Sequence, residues 1–485
     1  MTKVNRRGFL LQAGALGGAA IFAPSLQGLA TWNSISPAAA SVRRVGKGAG
    51  GYGDPTAIDA YGELLIPAGF SLAKLSQTRM PSRANPGFVV PQAFDGMAAF
   101  ALPNGNIRLI RNHEIRDDAQ KSRPIGTRPY DVRAGGGTTS LEVEVRGSGA
   151  GRELNLIEEF VSLSGTHVNC AGGPTPWGSW LSCEETTEGE TVYLDGEYQR
   201  GGRGNDHGYV FEVPATATEE VDPLPLKAMG RFVHEAVAID PATGIVYETE
   251  DRSFDARDPS ARPGSGFYRY LPTEPGNLGA GGRLQMLAVR GQPRYNTAFG
   301  QTPGMMLTAT WVDIDDPDPA EAETDPSAVF RQGLASGGAI FQRLEGCWYG
   351  DGSIYFNATS GGNAGAGQVW QYRPTGESDG QLILVFESPS LQILDSPDNI
   401  CVSPRGGLVI CEDGDGVQFL RGLTPRGEIF DLVRTVSHQS PEFCGACFSP
   451  DGEILFFNIQ GSTSSDGTAV GSTYALWGPW EDGAL

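Results

Sequence analysis

The sequence predicts an all-β protein, a six-bladed β-propeller with loop insertions covering the axial site. Three observations carry this expectation. One pattern is written six times: an acidic, Asn or Cys residue, an apolar stretch, a Gly-marked turn, and a second apolar stretch ending in acidic residues or Asn. Gly is abundant, at 68 of 485 residues, while long helical periodicity is scarce, which favours short strands joined by turns. Each copy has roughly seventy residues, more than the ~40–50 of a compact blade, and the excess falls in insertions.

Residues 1–40 read as a leader rather than as part of the fold. Asn5-Arg6-Arg7-Gly8-Phe9-Leu10 is a twin-arginine signature, an apolar Gly/Ala-rich stretch follows, and Ala38-Ala39-Ala40 offers a cleavage point. The stretch is short and Gly-interrupted for a spanning helix. The expectation is export in the folded state by the twin-arginine machinery, to the periplasm or beyond. No second long apolar run exists, so stable membrane insertion of the mature chain is not expected. Residues 41–66 read as an extended, Gly-rich basic arm, and 67–485 as a single propeller domain.

The six copies open at Asp95, Asn169-Cys170, Glu235, Glu345, Asp398-Asn399 and Glu442. Their second halves end at Asn112-His113-Glu114, Glu184-Glu185, Glu250-Asp251, Asn357, Glu412-Asp413 and Asn458. Between the halves stand turn signals such as Asn104-Gly105, Thr243-Gly244, Asp351-Gly352 and Asp451-Gly452. A hairpin returns both of its polar ends to the same side, so six radial hairpins aim a ring of hard oxygen ligands at one axis. The segments 117–150, 251–282 and 313–333 are expected to be mostly irregular surface loop.

Converging carboxylates repel one another unless cations are bound, and calcium accepts six to eight oxygens in loose geometry. The candidate metal ligands are Glu114, Glu184, Glu185, Glu235, Glu250, Asp251, Glu345, Asp398 and Glu412, with Asp95 and Glu442 at similar places. Cys170 adds a soft thiolate, which points to iron or another transition metal beside calcium. No loop has EF-hand spacing; Asp413-Gly414-Asp415-Gly416 resembles one only faintly. His113 and His234 each precede a candidate Glu, so their side chains are expected to face the blade packing instead. The other cysteines read as buried structural residues, and seven in total leave at least one thiol without an internal partner.

Arg343 stands two residues before Glu345, on the same face of an extended strand. It either binds a substrate phosphate or carboxylate through paired hydrogen bonds or balances the acid cluster. Arg343 and Asn112 are the candidate catalytic residues. No Gly-x-Ser-x-Gly elbow and no Ser-His triad is visible. A formal net charge of −21, with no basic face, excludes nucleic acid as a partner class.

The segment Asn169–Glu185, Asn-Cys-Ala-Gly-Gly-Pro-Thr-Pro-Trp-Gly-Ser-Trp-Leu-Ser-Cys-Glu-Glu, resembles the most recognisable part of the PhoX-type alkaline phosphatases. Arg111-Asn112-His113-Glu114, Val233-His234-Glu235, Arg343-Leu344-Glu345-Gly346 and Asp398-Asn399 match in the same order, over most of the chain from about residue 60. The resemblance implies a six-bladed propeller holding a pair of Fe3+ ions and several Ca2+ ions, and a small-molecule phosphomonoester as substrate. It implies that Cys170 is the thiolate on iron. Glu114, Glu184, Glu235, Glu345 and Glu412 would share iron and calcium, and Arg343 would hold the phosphate. One departure stands out. The family pattern has a phosphate-binding lysine from a later blade, and no lysine here follows Lys227; Arg421 or Arg434 is the substitute on offer. A monomer is expected. The alternatives are a calcium-dependent, lactonase-like propeller hydrolase and a diverged, non-catalytic metal-binding propeller.

Overall fold

Turn chemistry builds the repeating unit. In the fourth hairpin, Leu344–Gly350 pairs with Ser353–Ala358 so that Gly350 opposes Ser353, leaving a two-residue loop. Both loop residues, Asp351 and Gly352, have positive φ (51° and 75°), the backbone that matches the right-handed twist of the flanking strands. The computed structural model describes residues 44–47, 49–116, 123–194, 197–200, 202–437, 441–463 and 467–485. The leader expected over residues 1–40 lies outside the described residues.

The five other hairpins are Phe94–Ala101 with Ile107–His113, Asn169–Pro174 with Ser179–Glu184, and His234–Ile239 with Val246–Glu250. Pro397–Val402 with Leu408–Glu412 and Phe443–Phe448 with Leu455–Ile459 complete the set. The first strands of successive hairpins touch in a ring that ends with Phe443–Phe448 against Phe94–Ala101. The protein is thus all-β with a propeller-like arrangement and a nearly closed ring.

Apolar residues fill the gaps between successive hairpins. Trp180 and Tyr209 pack with Ile110; Met229 and Tyr268 with Leu181; Phe356 and Trp370 with Phe267. Ile400 and Ile410 pack with Tyr355, Phe443 and Phe457 with Cys411, and Phe456 and Cys447 with Leu109. These buried aromatic and aliphatic side chains hold the ring, each contributing about 1.5–3 kcal/mol of burial.

Two connections fasten the ring. Ser71–Gln77 pairs antiparallel with Ser472–Trp477, so an early strand completes the sheet of the last hairpin. Met306–Asp313 pairs with Gly282–Val289 on one side and Gly380–Glu387 on the other, joining the third and fourth hairpins into one nine-stranded sheet. Two segments of the arm are strands: Leu64–Ile66 pairs with Ile429–Thr435, and Ala57–Ile58 pairs with Leu64–Ile66.

The insertions keep much of the irregular chain expected of them, but each also carries a regular element. Gly136–Arg146 is a long strand, with Leu141 and Val143 buried on the period of two that a strand requires. Phe267–Pro272 is also a strand. Ala328–Ala335 is the one α-helix among the described residues, turning Val329 and Phe330 into the core. Each hides apolar side chains that a solvated loop would expose. Among the described residues no helix is long and apolar enough to cross a membrane.

Candidate metal centre

Every hairpin carries a β-bulge near its opening pair. In five of them the first residue of the bulge is Asp95, Cys170, Glu235, Glu345 or Asp398; Cys444 borders the sixth. A bulge re-aims the side chain it carries, and here it recurs where a ligand is needed. Four hairpins are entered through a non-Gly residue with positive φ: Ala93, Val168, Arg343 and Ser396 (56°, 49°, 47° and 48°). Such residues cost about 1–3 kcal/mol each and persist where the surroundings over-determine them.

The residue just past each second strand forms an outer tier: Glu114, Glu185, Asp251, Thr359, Asp413 and Gln460. Together the tiers make three groups whose ligand atoms lie within 4.8 Å of one another: Cys170, Glu185 and Glu235; Glu235, Glu345 and Asp398; and Asp95, Glu114 and Glu442. Glu235 belongs to two of them.

The electrostatics of this cluster disfavour a full set of bare carboxylates, so protons or bound cations must offset the charge. Burial, then the charges of Glu345 and Asp398, push the Glu235 carboxyl well above its usual range. Asp95, Glu345, Asp398 and Glu442 are raised in the same way, by burial first and then by neighbouring carboxylates. Glu185 is pushed up to about 8 by burial against the opposing charge of Arg116. Burial and the Glu235 and Glu185 carboxylates raise the Cys170 thiol. Asp95 Oδ1 is buried with no hydrogen-bond partner. Oxygen-rich groups sharing a carboxylate, with one thiol among them, fit several hard cations and one softer metal.

Two arginines border the cluster. Arg343 donates from Nε and Nη2 to Asp251 (3.0 and 2.7 Å) and from Nη2 to Glu345 (2.8 Å). Arg116, which the sequence reading passed over, contacts Glu114 and lies 2.6 Å from Glu185 through Nη2. Its signal was available: it stands two residues after Glu114, as Arg343 stands two before Glu345.

Four of the expected site residues lie away from the groups. Asn112 is fully buried and its amide is taken: Nδ2 donates to the carbonyls of Cys170 (3.0 Å) and Ala171 (2.7 Å). Its Oδ1 accepts from Trp180 Nε1 and Ser182 Oγ. Asn112 therefore holds the Cys170 strand and does not face the cluster. Glu184 accepts from the backbone N–H groups of His167, Gly208 and Tyr209 and pairs with His207 Nδ1 at 2.6 Å, leaving no oxygen for a metal. Glu250 accepts from Gly266 N–H and Tyr268 O–H, and Glu412 is held by Arg421 at 2.7 Å. These three end their strands, and the residue after each turns to the other side.

Arg421 is committed to Glu412 and Asp431, so it is not placed to replace a lysine at the cluster. His113 bonds the Gln92 carbonyl and Thr139, and His234 bonds the Gly230 carbonyl; both are buried in packing. All seven cysteines are free and buried.

Small residues let the hairpins converge beneath the cluster. A Cβ at Gly96 would come within 2.6 Å of Ala171 Cα, and one at Gly346 within 2.6 Å of the Asp398 carbonyl oxygen. Trp348 packs against apolar residues of four of the inter-hairpin cores and closes the axis below.

A family model described as Alkaline phosphatase PhoX matches residues 51–462. The chain belongs to the PhoX alkaline phosphatase family. Membership makes it an enzyme, an alkaline phosphatase by family, and the PhoX family is metal-dependent. Among solved structures, Pseudomonas fluorescens PhoX in complex with vanadate, a transition state analogue, is similar at 17% identity and a TM-score of 0.66. The match covers 92% of this chain and 99% of that one. At that identity the likeness speaks to the fold. A gluconolactonase from Xanthomonas campestris is 12% identical, with a TM-score of 0.37 over 80% of this chain and 87% of its own. No curated protein matches.

Proposed function

We propose that the protein is an exported phosphatase that hydrolyses phosphomonoesters at an axial iron and calcium centre. The observation that carries this reading is the group of Cys170, Glu185 and Glu235, joined through Glu235 to a second, all-oxygen group, in a chain of the PhoX family. The six hairpins are read as six blades around that centre. Two Fe3+ ions and several Ca2+ ions are the metals inferred.

The ligands favoured are Cys170, Glu114, Glu185, Glu235, Asp251, Glu345 and Asp398, with Asp95 and Glu442. Cys170 would be the soft donor and the carboxylates the hard donors that hold these metals. Metals so held would lower the pKa of a water nucleophile and offset charge on the phosphoryl group. The chain's own residues orient the substrate. Arg343 keeps Nη1 outside its carboxylate contacts, which supports a role in bonding a phosphoryl oxygen. Asn112, through the Cys170 and Ala171 carbonyls, holds the thiol in place. A twin-arginine leader, a periplasmic or secreted location and a monomeric state belong to the same proposal.

Metal analysis with a phosphatase assay tests it. Protein exported from its native host should contain iron together with calcium and turn over p-nitrophenyl phosphate. Hydrolase activity in iron-free protein overturns the reading, as does bound iron without turnover in the presence of calcium.

A further inference from the structure

We infer that Arg116 is a second anion-binding residue, acting with Arg343 as a two-guanidinium clamp that selects a dianionic phosphomonoester. The inference rests on the proposed phosphatase function and deepens it.

The two arginines occupy matching places at different edges of the cluster. Arg116 contacts Glu114, from the Asp95–Glu114–Glu442 group, and Glu185, from the Cys170 group. Arg343 contacts Glu345, from the Glu235–Glu345–Asp398 group, and Asp251 in the outer tier. Both use their terminal Nη2 to hold these carboxylates, and in neither does Nη1 make a hydrogen bond among the described residues. The side chains are 54% and 37% exposed, whereas the carboxylates they grip are at most 11% exposed. Each guanidinium thus covers buried acids with one end and faces solvent with the rest.

This geometry suits a ligand that arrives from solvent and meets the cluster. The two arginines are linked through the carboxylates they hold, since Glu185 on Arg116 bonds Asp251 on Arg343. A guanidinium fork pairs with two oxygens at once, and one free N–H2 from each arginine would address separate non-bridging oxygens of a phosphoryl group. Cations bound within the cluster would take up much of the carboxylate charge and leave the arginines freer to attract an incoming anion. Two guanidinium groups reward a second negative charge, so a monoester dianion is favoured over a diester monoanion. A purely structural Arg116, neutralising Glu114 and Glu185, would be needed to assemble the metal site and would be indifferent to the anion.

The experiment compares wild type, Arg116→Gln, Arg116→Lys and Arg343→Gln, all metal-loaded. It measures iron and calcium content, the inhibition constant for inorganic phosphate, and KM and kcat for p-nitrophenyl phosphate and bis(p-nitrophenyl) phosphate. Expected for Arg116→Gln is retained metal, at least ~10-fold weaker phosphate inhibition, and a larger rise in KM for the monoester than for the diester. Arg116→Lys should recover part of the phosphate affinity. Unchanged phosphate inhibition in Arg116→Gln, with Arg343→Gln impaired, overturns the clamp and leaves the phosphatase reading intact. Loss of metal from Arg116→Gln in step with phosphate affinity also overturns it, since the residue is then structural. Wild-type protein that neither hydrolyses the monoester nor binds phosphate sinks the underlying function instead.

Discussion

The side-chain amide of Asn112, on the first hairpin, donates to the backbone carbonyl of Cys170 on the second, at 3.0 Å. The contact recurs around the ring. Thr249 donates to the Glu345 carbonyl at 2.7 Å, Asn357 to that of Asp398 at 2.6 Å, and Asn458 to that of Asp95 at 2.8 Å. In each case a short polar side chain on one hairpin grips the backbone of the cluster residue on the next. Position in the cluster is therefore set between hairpins as well as within them, by groups outside the three candidate ligand groups.

Asn112→Ala should show the value of that grip. It strips hydrogen bonds from two buried carbonyls, Trp180 Nε1 and Ser182 Oγ together, a loss of about 2–4 kcal/mol in stability. The expected outcome is a lowered Tm and iron content reduced more than calcium content, because the carbonyls freed belong to Cys170 and Ala171. Equal iron in mutant and wild type, measured per folded protein, would show that Asn112 serves stability alone.

Cys170→Ala should remove the only thiol in a candidate ligand group among the described residues. Any charge-transfer absorption of the purified protein is expected to vanish with it, while circular dichroism stays that of a β protein. Stripping cations with a chelator should lower Tm, since buried Glu235, Glu345 and Asp398 then face one another uncompensated. A metal-free protein as heat-stable as the loaded one would speak against a cation role for the cluster.

His207 gives a pH signature outside the candidate ligand groups. Burial pulls its pKa down, but the Glu184 carboxylate and the hydrogen bond to Asp131 outweigh this and hold it up at about 9. A folded-state pKa above the free value stabilises fully below about 6.5 and loses that contribution as pH rises through about 9. The shift corresponds to roughly 3–4 kcal/mol. Denaturant melts should show wild type losing stability between those limits and His207→Gln showing a flatter profile there.

How much of this was legible in sequence follows from strand geometry. The hairpins were legible because turn pairs and apolar runs obey local rules, and Cys170, Glu235, Glu345 and Asp398 because they open those runs. The strands at 136–146 and 267–272 were hidden by flanking Gly, Pro and charged residues. At the closing ends the pattern showed adjacent acids, and adjacency is where a period of two is least forgiving: one step along a strand reverses the face. Glu184 and Glu185, Glu250 and Asp251, and Glu412 and Asp413 all divide in this way. The bulges that aim the opening residues leave no mark in the sequence beyond a small residue after four of the five, Gly96, Ala171, Ala236 and Gly346.

The pair Glu184 and Glu185 allows the division to be tested with two matched variants. Glu184→Gln replaces a carboxylate that takes four hydrogen bonds from protein donors, so its amide nitrogen meets backbone N–H groups. It should cost about 2–4 kcal/mol and leave the metal complement of the folded fraction near wild type. Glu185→Gln removes a charge from a cluster that burial already disfavours ionising. Metal-free Glu185→Gln should be as stable as metal-free wild type or more so, because like-charge repulsion falls, but it should bind less iron. Thermal melts with and without chelator, alongside metal analysis, read both arms. If Glu184→Gln lost the metal while Glu185→Gln retained it, the assignment of the two faces would be reversed.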